Sequence, residues 1–167
     1  MAADLRLLKT SLRAQKVAGA DLLRQRGLDH RHLYEDIAAR LAEVTWRPDG
    51  AVHLWDAISY PAAVWRSKRD DCDGFAVLAA ALLQRWDAST DPVLLSVVLR
   101  PLRRSHTVCV FRHGGALRFF DNARLRPEPY ATYADVAVAV AQRGRTLLCW
   151  DVASADPLRA RETHLAR

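Results

Sequence analysis

Cysteine is scarce in this chain. There are three in 167 residues, at positions 72, 109 and 149, too few for a disulfide scaffold and without the CxxC spacing of a zinc or redox pair. No run of about eighteen apolar residues is present, which argues against a membrane-spanning helix. Internal repeats and low-complexity blocks are also missing, which excludes solenoid and long disordered architectures. The opening Met1-Ala2-Ala3-Asp4-Leu5-Arg6 lacks the basic cap and continuous apolar stretch of a secretory leader, so the expected location is cytoplasmic. Lysine is rare as well, only 3 of 25 basic residues. The 22 arginines are scattered singly and in pairs, the densest group being the three between Arg100 and Arg104. A net charge of +6 therefore predicts non-specific attraction to polyanions rather than a dedicated nucleic-acid surface.

What is present is an ordinary globular composition, 50% hydrophobic and 26% charged, of a length that suits one domain. We read residues 1–152 as that domain, residues 1–45 as its N-terminal helical part, and residues 153–167 as a polar tail. Leu5, Leu8, Leu12, Val17, Leu22 and Leu23 predict one or two amphipathic helices before Gly27. Leu33, Ile37, Leu41 and Val44 predict another over 29–44, with Asp29 as cap. Residues 52–65, interrupted by Pro61, read as an irregular apolar wall. An Ala/Leu-rich helix, apolar nearly all round and so buried, follows from Cys72 through Leu83. After Asp91-Pro92 the composition turns to β-branched and aromatic residues, with strands expected at 93–99, 106–112, 117–120 and 146–152. A last helix is expected from Tyr133 to Gln142, capped by Thr132 and stopped by Gly144. Helices followed by mainly antiparallel strands make an α+β pattern.

The chemistry concentrates in Arg69-Asp70-Asp71-Cys72-Asp73-Gly74. Cys72 opens the buried helix, where unpaired N–H groups and the positive end of the dipole favour a thiolate. Taken alone, such a cysteine is more often a small core residue. A nucleophile needs an imidazole base, and His106 begins a strand downstream. The base needs an orienting acid, and the hairpin supplies a candidate. With Gly114-Gly115 as a two-residue loop, residues whose numbers add to 229 face each other, so Asp121 opposes Val108 and lies diagonal to His106 on one face. With His113-Gly114 as the loop the two would be directly opposite, and with a three-residue loop they would fall on opposite faces.

The segments Asp71-Cys72-Asp73-Gly74-Phe75-Ala76, His106-Thr107-Val108 and Phe119-Phe120-Asp121-Asn122, preceded by Tyr60-Pro61 and Trp65, resemble the bacterial transglutaminase-like cysteine proteinases, a branch of the transglutaminase-like and papain-like superfamily. The resemblance covers about residues 60–125, the expected catalytic core. It implies that fold, with the central helix begun by the cysteine packed on a mainly antiparallel sheet. It also implies a triad in which Cys72 is nucleophile, His106 is base and Asp121 orients the base, acting on a protein or peptide through a thioester. No cofactor is required by that chemistry. In one branch, periplasmic proteinases that clip biofilm adhesins, acids flanking the cysteine bind calcium; the matching residues are Asp71 and Asp73, which would equally serve as helix caps. Gly74 departs from the acidic or polar residue usual at its position.

Two alternatives remain at this level. The same cysteine motif is similar to that of peptidoglycan endopeptidases of the NlpC/P60 type, and a transglutaminase-like fold also serves as a non-catalytic binding module. Trp55 and Trp65 are candidates for the acyl-binding cleft, with a core role the commoner one for tryptophan. His30 and His32 are two apart, which on a helix points them to different sides and disfavours a metal pair. Cys109 and Cys149 read as packing thiols within strands.

Overall fold

The computed structural model describes residues 33–48, 58–142, 145–155 and 158–165. The helices expected over residues 2–26, the cap at Asp29, His30, His32, Trp55 and Gly144 lie outside the described residues. Among the described residues four α-helices and eight strands follow in chain order: α1 (Leu33–Ala42), β1 (Thr45–Trp46), α2 (Pro61–Ser67), β2 (Arg69–Asp70), α3 (Cys72–Trp86), β3 (Val93–Arg100), β4 (His106–His113), β5 (Ala116–Asp121), β6 (Arg124–Tyr130), α4 (Tyr133–Ala141), β7 (Thr146–Ala155) and β8 (Leu158–Leu165).

Six strands form one antiparallel sheet in the order β6-β5-β4-β3-β7-β8, and β1 pairs in parallel with β2 as a separate two-residue ladder. Side-chain alternation divides the sheet cleanly. Leu94, Cys109, Phe111 and Phe120 face α3, which buries Phe75, Leu78, Leu82 and Leu83 against them, together with Ile37 and Leu41 of α1. Leu95, Val97, Val108, Val110 and Phe119 face the other way, onto Val136, Ala137 and Val140 of α4. The sheet is thus covered on both sides, and each large aliphatic or aromatic side chain buried there contributes on the order of 1.5–3 kcal/mol. No helix among the described residues is long and apolar enough to cross a membrane.

Local chemistry explains the elements. Gly114 and Gly115 both have positive φ, 60° and 80°, the signature of a two-residue type I′ turn. The β4–β5 register that results pairs His113 with Ala116 and Cys109 with Phe120, the 229 register. The cap expected at Thr132 is present as a full capping box with Asp135.

Three expectations are corrected. Pro61 does not interrupt an irregular wall; it occupies the first turn of α2, where its missing N–H costs nothing. Residues 124–130, which the sequence pattern assigns to no element, form β6, an edge strand where Pro127 and Pro129 are tolerated. The polar tail is an extension of β7 to Ala155 followed by β8, whose Arg161 clasps Asp91 through two bonds of 2.9 and 3.0 Å and whose His164 stacks on Trp150.

Candidate active site

Asp71 is the N-cap of α3. Its Oδ1 accepts the N–H of Asp73 at 3.1 Å, and its own N–H donates to Asp70 Oδ1 at 2.9 Å. Cys72 is therefore the first residue of the buried helix and is half-buried, at the dipole's positive end. Topology fixes which end of the molecule it occupies. Helix α3 spans about 22 Å along the sheet. The chain then turns through Ala88–Thr90 and returns along β3, whose first residue, Val93, pairs with Val110. Strand β4 begins at the opposite end, where His106 pairs with Val97. Cys72 and His106 accordingly stand toward the same end of the sheet, with α3 packed against β4.

His106 and Asp121 are in direct contact, Nε2 to Oδ1 at 2.8 Å, each side chain with about a fifth of its surface exposed. This is the diagonal placement that the glycine turn dictates. Since the carboxylate holds Nε2, Nδ1 is the ring nitrogen left to exchange a proton with a nucleophile. Asp121 has a further partner, Arg126 of β6, whose Nη2 donates to Oδ2 at 3.0 Å. The bond to His106 and then the bond to Arg126 overcome the effect of burial and hold the Asp121 carboxyl well below the usual range, at about 2. Alternation assigns His106 and Asp121 to the α4 side of the sheet, whereas α3 lies on the other. The pair belongs to the end of the sheet, where β4 begins and β5 finishes. Behind Asp121, on the α4 side, a cavity of about 290 Å³ is lined by Asp121, Arg126, Glu128, Tyr130, Val140 and Gln142.

Asp70, Asp71 and Asp73 each offer a carboxylate oxygen, the three lying within 4.8 Å of one another. Asp73 is only 3% exposed, an uncommon position for a carboxylate. Hard oxygen donors at that spacing suit calcium and supply part of the six to eight oxygens it takes. Asp71 thus acts as a cap and remains available as a ligand through its second oxygen. The close approach of Asp70 also accounts for Gly74: a Cβ there would run into the Asp70 side chain. Gly74 is a requirement of the carboxylate cluster.

The other candidates separate from the site. Cys109 is fully buried on the α3 face, and burial raises its thiol well above the ordinary value. Cys149 is a half-buried strand residue opposite Leu165. Trp65 packs partly buried against the α1–α3 core, with Lys68 Nζ 2.9 Å from its ring centroid. Two residues of the site were missed in the sequence. Asp70 was passed over as one more acid before the helix, although the small residue at 74 was a signal that something packs there. Arg126 was invisible because β6 was not read as a strand.

The α+β architecture, with a helix begun by a cysteine packed on an antiparallel sheet, is the transglutaminase-like fold. Solved structures of Legionella pneumophila LapG share it. The calcium-bound form superposes with a TM-score of 0.53 at 13% identity over 95% of this chain and 86% of LapG. A further LapG structure and an EGTA-treated one both give 0.51 at 13% identity, over 95% of this chain and 86% and 84% of LapG respectively. No family model and no curated protein matches the sequence.

Proposed function

We propose that this chain is a cysteine-dependent amide hydrolase acting on a protein or peptide. The observation that carries the reading is the His106–Asp121 bond of 2.8 Å at the end of the sheet toward which α3 directs Cys72. The Cys72 thiolate attacks the amide carbonyl, and the backbone N–H of Cys72 at the helix start is one donor to the oxyanion. His106, approached across the rim of the sheet, gives its proton to the departing amine. The acyl group remains on Cys72 as a thioester. His106 then takes a proton from water, which hydrolyses the thioester and restores the thiolate. With an amine in place of water the same intermediate transfers its acyl group. Asp121 keeps the ring in the tautomer and orientation these steps need, as the carboxylate of such triads does.

Asp70, Asp71 and Asp73 would hold a calcium ion beside the nucleophile. Such an ion would neutralise carboxylates whose charge otherwise opposes that of the thiolate.

Iodoacetamide at stoichiometric dose near neutral pH, followed by peptide mass spectrometry, tests the reading. Cys149 is the fair comparator, because burial alone slows Cys109. Cys72 is expected to label at least tenfold faster than Cys149 in the wild type, and His106→Ala is expected to abolish the difference. Equal labelling of the two in the wild type, or labelling indifferent to His106→Ala, would leave a non-catalytic use of the fold as the better reading.

A further inference from the structure

Asp121 is held from two sides, and only one of its partners belongs to the proposed triad. Oδ1 takes the His106 ring at 2.8 Å, and Oδ2 takes Arg126 Nη2 at 3.0 Å. A carboxylate bonded through one oxygen turns about its last torsion, a broad and soft one. Bonded through both, it has its plane fixed, with the Oδ1 lone pair aimed at Nε2. We propose that Arg126 is a positioning residue that locks the Asp121 carboxylate so that it holds the His106 ring in one orientation. This inference deepens the reading of the site as a hydrolase and names a residue outside its Cys-His-Asp set.

The strand register supports it. Asp121 is directly opposite Arg124, and Arg126 lies two residues further along β6 on the same face. Arg124 is exposed, whereas only 26% of the Arg126 side chain is exposed, and Arg126 lines the cavity with Asp121. A surface ion pair in this position would contribute little. Here one oxygen of the shared carboxylate is already committed to an imidazole, so the guanidinium acts on the ring's environment as well as on stability. Of the other charges near the pair, Arg124 lies opposite Asp121 on β6 and Glu128 lines the same cavity. Helix α4 and its C-cap contribute Val140 and Gln142 to the cavity, neither titratable.

The test is nuclear magnetic resonance of histidine-labelled full-length protein, comparing wild type with Arg126→Met and Arg126→Lys, alongside thermal unfolding. Arg126→Met is expected to weaken the His106–Asp121 bond, seen as an upfield move of the Nε2 proton resonance. It should also speed exchange of the Nε2 proton with water about tenfold, because the carboxylate turns freely. Arg126→Lys should restore only part of the protection, since an ammonium keeps the charge without the planar fork. An Nε2 proton resonance and exchange rate unchanged in both variants, with at most a lower unfolding temperature, would overturn the proposal and leave Arg126 as a structural ion pair. Should Arg126→Met fail to fold, Arg126→Lys decides: unchanged Nε2 exchange overturns the proposal, and faster exchange supports it. None of these readouts uses Cys72, so they stand or fall independently of the alkylation experiment.

Discussion

At the scale of single residues, Asp121 links the candidate chemistry to stability. Its carboxyl is held at about 2, below the ordinary carboxylate value of 3.8, first by the His106 bond and then by Arg126. On acidification the unfolded chain takes up this proton first. The contribution of Asp121 to stability is therefore complete above about pH 4, declines as the pH falls toward 2, and is gone below that. Asp121→Asn is expected to flatten this part of the acid-unfolding profile, measured as the urea midpoint against pH, while lowering the Cys72 alkylation rate at neutral pH by at least tenfold. Gly74 makes a second case. Gly74→Ala would ordinarily gain helix propensity, up to about 1 kcal/mol, but here the new methyl meets the Asp70 side chain and the expected cost is about 1–3 kcal/mol. In an Asp70→Ala background the same change should be neutral or stabilising, a non-additivity that urea unfolding of the four-member cycle would measure. Additive effects would show that Asp70 does not own that space.

Among the elements, those facing the core were the legible ones. Helix α3 and strands β3, β4, β5 and β7 bury continuous apolar residues, and their patterns survive translation into structure with ends shifted by at most a few residues. The turn at Gly114-Gly115 carries more: by setting the register it puts Asp121 diagonal to His106 on one face of the hairpin. The two edge strands were not legible, for opposite reasons. In β6 the prolines suppress the β signal while the edge position removes their penalty. In β8 almost every residue is exposed, so no alternation is imposed. It is held instead by register with β7, the Arg161–Asp91 clasp and the Trp150–His164 stack, none of which a single sequence displays. Arg126 was lost with β6, which is why the candidate triad could be read and the residue that steadies it could not.

For the molecule as a whole, the cluster of Asp70, Asp71 and Asp73 stands out against a net charge of +6. A cation bound there only in the folded state stabilises by mass action, about 2.7 kcal/mol at a hundred times the dissociation constant. Millimolar calcium is expected to raise the unfolding temperature by several degrees and EGTA to reverse the gain, with Asp73→Asn abolishing the response. Unfolding temperatures that are indifferent to calcium in the wild type would reduce the three acids to helix capping and local packing.

The unlike borders of the sheet have a consequence for association. On β6, Pro127 and Pro129 have no N–H to offer an incoming strand. Strand β8, the other border of the sheet among the described residues, carries Arg159, Arg161 and Glu162 and no proline. An added strand is thus disfavoured at the β6 border. Strand pairing between two copies is therefore expected at β8, the border remote from Arg126, rather than at β6, where two prolines withhold their donors.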